Sequence, residues 1–305
     1  MRVLLFGGNG QVGHAFQSCR PGVDEGDQEV NELVVSTRTD CDLTAAESVR
    51  ALVRRVRPDV IVNAAAYTAV DKAESDRERC FAVNAAAPGA MAAEAAALGA
   101  KLVHYSTDYV FDGSKTDGSK ADGSKPAPYV EEDPTGPGNI YGASKLAGER
   151  SIAEAGGEFV ILRTSWVYSN HGANFLKTML RLGAERPELR VVADQHGAPT
   201  SATAIAQATV RILKQVGAAN WTSGTFHMTA AGATTWYGFA KAIFARAAGP
   251  TPSLVAIRTA DYPTPASRPA NSILSNEKFA RTFGFRLADW KQELDAVMGA
   301  GAIAG

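Results

Sequence analysis

The sequence predicts an α/β chain built on a doubly wound parallel sheet, with helices covering both faces. Three observations carry that prediction. Apolar runs of four to six residues alternate with helix-length stretches of ten or more up to about residue 168. The runs are apolar throughout rather than alternating, as strands buried on both faces must be. The first run is closed by a glycine cluster that leads directly into a helical pattern, the usual punctuation of a strand-turn-helix unit.

The elements follow in order. Arg2 to Phe6 reads as a buried strand stopped by Gly7-Gly8, and Val12, Ala15 and Phe16 mark a helix that fades around Cys19 to Gly22. Glu32 to Ser36 is the second strand. Asp42-Leu43-Thr44 looks like a helix start, with Thr44 as N-cap of Ala45 to Val56 and Pro58 as its stop. Asp59 to Val62 is a third strand, Ala82 to Leu98 an alanine-rich helix, and Lys101 to Tyr105 a fourth strand. A helix from Tyr141 to about Ala155 and a strand from Glu158 to Arg163 complete the regular rhythm. Beyond Trp166 the pattern loosens. Phe175 to Glu185 and Ala202 to Val216 read as helices, the proline-rich run Tyr262 to Pro269 is irregular, and Gly299 to Gly305 carries no signal.

Composition sets the outer limits. The 305 residues are 45% hydrophobic and 21% charged, enough to bury a core. Lys plus Arg number 31 against 32 for Asp plus Glu, so no electrostatic case exists for nucleic acid as the partner. Cys19, Cys41 and Cys80 are odd in number and far apart, which predicts neither a disulfide framework nor a metal site and fits a reducing, cytoplasmic setting. The N-terminal apolar run is too short for a secretion signal, and no segment reads as the roughly 20 apolar residues of a membrane span, so no membrane partner is expected. Three copies of one pentapeptide, beginning at Asp112, Asp117 and Asp122, form a low-complexity stretch over 112–126 that reads as a solvated loop.

Three motifs carry chemistry. Gly7, Gly10 and Gly13 are spaced GxxGxxG between the first strand and the first helix, where a tight turn lets backbone and helix N-terminus meet a pyrophosphate. The second strand ends Ser36-Thr37-Arg38, with no acid to hold a ribose 2′-hydroxyl. A hydroxyl and a guanidinium suit a 2′-phosphate, so Thr37 and Arg38 predict NADPH, with NADH as the second candidate. Tyr141 and Lys145 lie four apart on a helix and so share a face, where an ammonium would draw a phenol toward a useful pKa. Thr107 follows the fourth strand, at the sheet end where ligands bind, and can hydrogen-bond a carbonyl.

In this order the glycine loop, Asn63-Ala-Ala-Ala-Tyr-Thr, Ser106-Thr-Asp-Tyr-Val-Phe and Tyr-x-x-x-Lys resemble the extended short-chain dehydrogenase/reductases. More narrowly, Val62 to Glu74, Arg163 to Tyr168, Asp194 to Thr200 and Pro263 to Pro269 resemble the dTDP-4-dehydrorhamnose reductase family, from the first strand to about residue 290. The resemblance implies a Rossmann-type cofactor domain over 1–168. It implies a smaller domain over 169–305 that is mainly substrate-binding and partly interleaved with the first. The implied reaction is NADPH-dependent reduction of the 4-keto group of dTDP-4-dehydro-β-L-rhamnose.

By matching position, the resemblance puts Gly10, Gln11 and Val12 on the pyrophosphate and Asp42 and Leu43 beside the adenine. It puts Ala64, Ala65 and Ala66 along the ribose, and Tyr141 and Lys145 on the nicotinamide ribose. Thr107, Asp108 and Trp166 fall at the nucleotide sugar, with Gln195 and Arg268 toward its nucleotide end. Arg268 suits a diphosphate because a planar guanidinium makes paired hydrogen bonds. Two departures stand out. About ten residues are inserted between Thr107 and Tyr141, and His14-Ala15-Phe16 replaces a stretch where some relatives carry a glutamate that helps bind a dimer-bridging magnesium ion. No metal is therefore expected, and the chain is expected to act as a monomer or homodimer. Two alternatives stay open at this point: an epimerase or other keto-sugar reductase, and a non-enzymatic binding protein like the methionine adenosyltransferase regulatory β subunit.

Overall fold

The computed structural model describes residues 1–19, 30, 32–118, 125–215 and 221–300. Val216 and much of the second and third pentapeptide copies lie outside the described residues. The first half runs β1 (Arg2–Phe6), α1 (Gln11–Ser18), β2 (Glu32–Ser36), α2 (Ala46–Val56), β3 (Val60–Asn63), α3 (Val70–Ala73), α4 (Arg77–Phe81), a π-helical turn (Ala82–Ala86), α5 (Ala87–Leu98), β4 (Lys101–Thr107), α6 (Ile140–Glu154), β5 (Glu158–Thr164) and β6 (Val167–Tyr168). The second half runs α7 (Phe175–Glu185), β7 (Glu188–Val192), β8 (His196–Gly197), β9 (Thr200–Ser201), α8 (Ala202–Leu213), β10 (Gly224–His227), β11 (Thr234–Thr235), α9 (Trp236–Phe244), β12 (Ser253–Ile257), α10 (Glu277–Phe283) and α11 (Trp290–Gly299).

Six strands form one parallel sheet in the order β10-β5-β4-β3-β1-β2. The period-2 geometry of strands splits their side chains between two cores. Val3, Leu5, Val60, Val62, Val103, Val160 and Leu162 pack with Phe16 of α1 and Ile205 and Ile212 of α8. Leu4, Phe6, Ile61, Leu102 and Ile161 pack on the other face with Val49 and Leu52 of α2, Met91 of α5 and Ile152 of α6. Buried apolar residues on both faces explain why the runs read as continuous rather than alternating. The sixth strand, β10, comes from the second half of the chain, so the two halves share one sheet. A third core, with Leu176, Leu189, Val191, Phe239, Ile243, Trp290 and Leu294, joins α7, α9 and α11 to the small parallel pair β7–β12.

Several local expectations change. Thr44 does not cap α2. The Asp42 carboxylate two residues back accepts from both its N–H (2.9 Å) and its hydroxyl (2.7 Å), and the helix starts from Ala45 without a side-chain cap. The fourth strand runs on to Thr107, because Ser106 and Thr107 continue the ladder with Arg163 and Thr164 of β5. The alanine-rich helix is part of a continuous stretch from Arg77 to Leu98, interrupted by the π turn. Pro88 accounts for the interruption: it has no N–H to give the Asn84 carbonyl one turn earlier. This 22-residue stretch has a most apolar window of mean hydropathy 1.2, long and apolar enough by composition to cross a membrane, contrary to the reading of no such segment. Ala87, Ala90, Met91, Ala92 and Ala95 of its α5 part are instead buried in the core on one face of the sheet.

The first pentapeptide copy is exposed at Asp112, Ser114 and Thr116, as a solvated loop would be, but it is anchored at both ends. Gly113 packs on Pro269, Asp112 accepts from the Tyr129 hydroxyl (2.8 Å), and Lys115 pairs with Asp133.

Helix α11 is held by Glu293, whose carboxylate accepts from the Ser201 N–H (2.8 Å). Its other oxygen is buried with no hydrogen-bond partner, and burial pushes the carboxyl up to about 7. A carboxyl raised above its unfolded value stabilises the fold at low pH and loses that contribution as pH rises from about 4.3 through 7. Glu293→Gln, which carries no charge, is expected to gain in melting temperature over the wild type at pH 8 and to show little difference at pH 5. Thermal denaturation at the two pH values checks this, and an equal difference at both would contradict it.

Candidate active site

The glycine turn is shaped as a close-approach site. Gly7 has φ +82°, and a Cβ there would lie 2.6 Å from the Ala65 nitrogen. A Cβ on Gly13 would lie 2.1 Å from the Gly7 carbonyl, so α1 can start this near β1 only without one. The N-cap of α1 is Gly10, with no capping side chain, which leaves the first-turn N–H groups of Gln11, Val12 and Gly13 facing out of the helix end. Such a cradle of backbone donors beside the turn 64–66 fits a dinucleotide pyrophosphate. The Gln11 side chain does other work: its Nε2 faces the Val167 carbonyl (3.5 Å) and its Oε1 accepts from Ser169 and Asn174 (both 2.9 Å).

At the end of β2, Arg38 is exposed and has no ion-pair partner among the described residues, as a 2′-phosphate ligand would require. Thr37 is engaged, since its N–H and hydroxyl both donate to Asp40 (2.8 and 2.7 Å). Asp40 is thereby held below the usual carboxylate range, by the hydroxyl first and the N–H second. Asp42 is likewise taken up by Thr44, and Leu43 packs against the core under α2.

Tyr141 and Lys145 are set by the start of α6. The N-cap Asn139 accepts from the Gly142 N–H (2.8 Å) and donates to the Ser267 carbonyl (2.8 Å), while Glu74 accepts from the Ile140 N–H (2.9 Å). Tyr141 then leaves the first turn toward the end of β4. There it meets the Thr107 hydroxyl and stacks edge-on against Tyr109 (5.6 Å between centroids). Burial raises the Tyr141 phenol well above its ordinary value, and of the groups facing it only Thr107 pulls it down.

Lys145 is 1% exposed. Burial brings it down to about 8, partly opposed by Glu149 and Cys80. Its Nζ donates to the Tyr105 carbonyl (2.6 Å) and sits 3.0 Å from His104 Nε2. Next to Thr107, Asp108 is also buried. Its Oδ1 accepts from Thr107 (2.9 Å) and the Ser272 hydroxyl also faces the carboxyl, but burial outweighs both and pushes it up to about 6.

Four groups that sequence reasoning missed hold this centre. Asn63 and His104 face each other across β3 and β4, Asn84 packs against α6, and Glu149 lies on α6 itself. The π turn directs Asn84 both ways: its amide brackets the Tyr67 backbone (2.8 and 3.0 Å) and donates to Ser144 (3.0 Å). Its carbonyl reaches α6 at Gly148, where a Cβ would lie 2.1 Å away. The signal was Pro88 inside a helical run. Glu149 accepts from Arg163 (2.9 and 2.7 Å) and Ser106 (2.5 Å), all buried.

The remaining candidates sit farther out. Trp166 has φ +49° and stacks on Trp236 at 3.6 Å, and Gly197 packs against its ring. Gln195 braces that stack from behind, accepting from Trp236 Nε1 (3.2 Å) and donating to Thr259 (3.1 Å). Its amide is thus spent within the protein rather than offered to a ligand. Arg268, expected to be free for a diphosphate, gives both ends of its guanidinium to Asp71 of α3. Asp71 is preorganised for it by the Ala266 N–H (3.1 Å).

Residues 1–302 match the family model described as the RmlD substrate binding domain. The dTDP-4-dehydrorhamnose reductase of Burkholderia thailandensis is 47% identical over 302 residues, covering 95% of this chain and 96% of that one. The dTDP-4-dehydrorhamnose reductase of Escherichia coli K12 is 45% identical over 296 residues, covering 95% of each. Among solved structures, the dTDP-4-dehydrorhamnose reductase of Bacillus anthracis in complex with NADP superposes with a TM-score of 0.86 at 36% identity, over 98% of this chain and 99% of that one.

The seam between the π turn and α6 makes a direct prediction. Gly148→Ala places a methyl on the Asn84 carbonyl and is expected to cost about 1–3 kcal/mol of stability, as overpacking does. Denaturant unfolding checks this; a loss below about 0.5 kcal/mol would mean that the seam yields freely.

Proposed function

This chain belongs to the RmlD substrate binding domain family, that of the dTDP-4-dehydrorhamnose reductases, and on that premise we propose how its site works. It is an NADPH-dependent oxidoreductase of nucleotide-sugar metabolism. It reduces the 4-keto group of dTDP-4-dehydro-β-L-rhamnose to give dTDP-L-rhamnose, the last step of dTDP-rhamnose biosynthesis.

The observation that carries the mechanism is the meeting of Tyr141 and Thr107 at the carboxyl end of β4, with Lys145 one turn behind on α6. NADPH, when bound, supplies the hydride. Gly7, Gly10 and Gly13 shape the turn that holds its pyrophosphate against the N–H groups of Gln11 and Val12. Arg38 meets the 2′-phosphate, and Leu43 and Ala64 to Ala66 line the nucleoside. A phenol raised by burial stays protonated at neutral pH, which is the form that a reduction needs. Tyr141 gives its proton to the oxygen at sugar C4 as negative charge develops there, and Thr107 hydrogen-bonds the same oxygen. Lys145 holds the ribose. Asp108 and Trp166 position the sugar, with the Asp108 carboxyl as a polar contact and the Trp166 ring as a wall.

Residues 1–168 act as the cofactor domain and 169–305 mainly as the substrate domain. Arg268 serves the diphosphate once the nucleotide sugar competes with Asp71 for its guanidinium. The protein works in the cytoplasm as a monomer or homodimer, without a metal, nucleic acid or membrane as partner.

Tyr141→Phe is expected to lower kcat about 10²-fold or more with little change in KM, because the lost proton donor acts in the transition state. Retention of more than a third of wild-type kcat in a chemistry-limited assay would remove Tyr141 from this role. Arg38→Ala is expected to lower kcat/KM about 10-fold or more with NADPH and leave NADH unchanged, the loss of one charge-assisted contact. Equal losses with both cofactors would show that Arg38 does not read the 2′-phosphate.

A further inference from the structure

His104 is fully buried on β4, three residues before Thr107, and the reaction gives it no direct part. Both of its ring nitrogens face other nitrogens. Nδ1 is 2.9 Å from Asn63 Nδ2, and Nε2 is 3.0 Å from Lys145 Nζ. A neutral imidazole carries one N–H and one lone pair, so it accepts at one of these contacts and donates at the other.

The Asn63 amide decides which. Its Oδ1 accepts from the Ala65 N–H at 3.1 Å, and that backbone group can only donate. Nδ2 is therefore the side turned to His104, and it offers only hydrogens. His104 Nδ1 must accept, which leaves the ring proton on Nε2, aimed at Lys145. Only an uncharged amine has a lone pair to receive it. The same amine donates to the Tyr105 carbonyl. An imidazolium is ruled out on the same ground, since Nδ1–H would meet the Asn63 N–H, and burial pushes His104 well below its ordinary value.

We propose that His104 is a positioning residue that holds Lys145 as the free amine in the enzyme without ligands, through a ring tautomer dictated by Asn63. Converting Lys145 to the ammonium requires the His104 proton to move to Nδ1 and the Asn63 amide to turn over. That breaks the hydrogen bond from Ala65 in the turn 64–66. The protonation state of Lys145 is thus tied to the backbone of the turn proposed to line the cofactor.

The other groups facing Lys145 leave the choice to His104. Glu149, one turn on along α6, favours the ammonium, but its oxygens are filled by Arg163 and Ser106. Cys80 of α4 is held against Ser144 as a buried thiol raised by burial, and Tyr141, one turn back, is a protonated phenol. Burial, partly opposed by Glu149 and Cys80, brings Lys145 to about 8, close enough to neutrality for one directed hydrogen bond to select the form.

The tautomer is independent of the catalytic reading, whereas its consequence for turnover rests on the roles given to Tyr141 and Lys145. The test is NMR of the wild-type protein without ligands, labelled with ¹⁵N-histidine and ¹³Cε-lysine, with His104 assigned by loss of its signal in His104→Gln. The expected result is the Nε2–H tautomer, with Lys145 titrating below neutrality, more than about three pH units below the ordinary lysine value of about 10.4. Asn63→Asp presents carboxylate oxygens to both Ala65 N–H and His104 Nδ1, reverses the tautomer, and is expected to raise the Lys145 midpoint by at least one pH unit. An Nδ1–H tautomer in the wild type, or a Lys145 midpoint unmoved by Asn63→Asp, overturns the proposal. If Asn63→Asp does not fold, the wild-type tautomer decides alone. A fully active Tyr141→Phe with the Nε2–H tautomer would sink the catalytic reading and leave this one standing.

Discussion

The structure depends on keeping a lysine out of water between a helix and a sheet. A buried amine is costly unless its hydrogen-bonding groups are met. Lys145 is met by Tyr105 and His104, His104 by Asn63, and Asn63 by the turn beside the glycine loop. One turn along α6 a second buried set, Glu149 with Arg163 and Ser106, ties the same helix to β4 and β5. These two chains fix α6 in rotation as well as in height. Tyr141 therefore reaches Thr107 as the end of a rigid construction rather than as a mobile surface tyrosine.

A second constraint is that the site is assembled from both halves of the chain. Gln11, on the helix that opens the cofactor turn, is bonded to Ser169 and Asn174, and His171 stacks on His14 while reaching the Asn9 carbonyl. Strand β10 adds to β5, and α8 covers the face that α1 covers. The loop 264–269 is pinned to α3 through Asp71 and to the start of α6 through Asn139. The loop 264–269 is consequently referenced to the same residues that place Tyr141. Arg268 couples the two most directly, since its guanidinium lies close enough to Tyr109 to influence it while Tyr109 packs on Tyr141.

The expectations that changed share one cause: a local signal was outcompeted by a partner that only folding supplies. Thr44 looked like a cap, but Asp42 offers a stronger acceptor two residues away. Arg268 looked free, but Asp71 lies 197 positions away in sequence and beside it in space. Gln195 looked like a ligand contact until Trp236 and Thr259 used its amide. The first pentapeptide copy is solvated as expected, but its anchoring by Pro269 and Tyr129 was not legible because both are distant in sequence.

What the sequence determined by itself is whatever rests on periodicity, turn chemistry and fixed spacing. Continuous apolar runs specify strands buried on both faces, glycines at 7, 10 and 13 specify the turn, and four residues between Tyr141 and Lys145 specify one helix face. Those are short-range rules, and they carried the fold class and the placing of Tyr141 and Lys145 on one helix face. The tertiary structure alone decided the state of that pair. The phenol's proton, the lysine's depressed pKa and the histidine tautomer behind it arise from burial and from contacts between β3, β4 and α6. Such electrostatic quantities depend on distances and on the exclusion of water, which no spacing along a chain encodes.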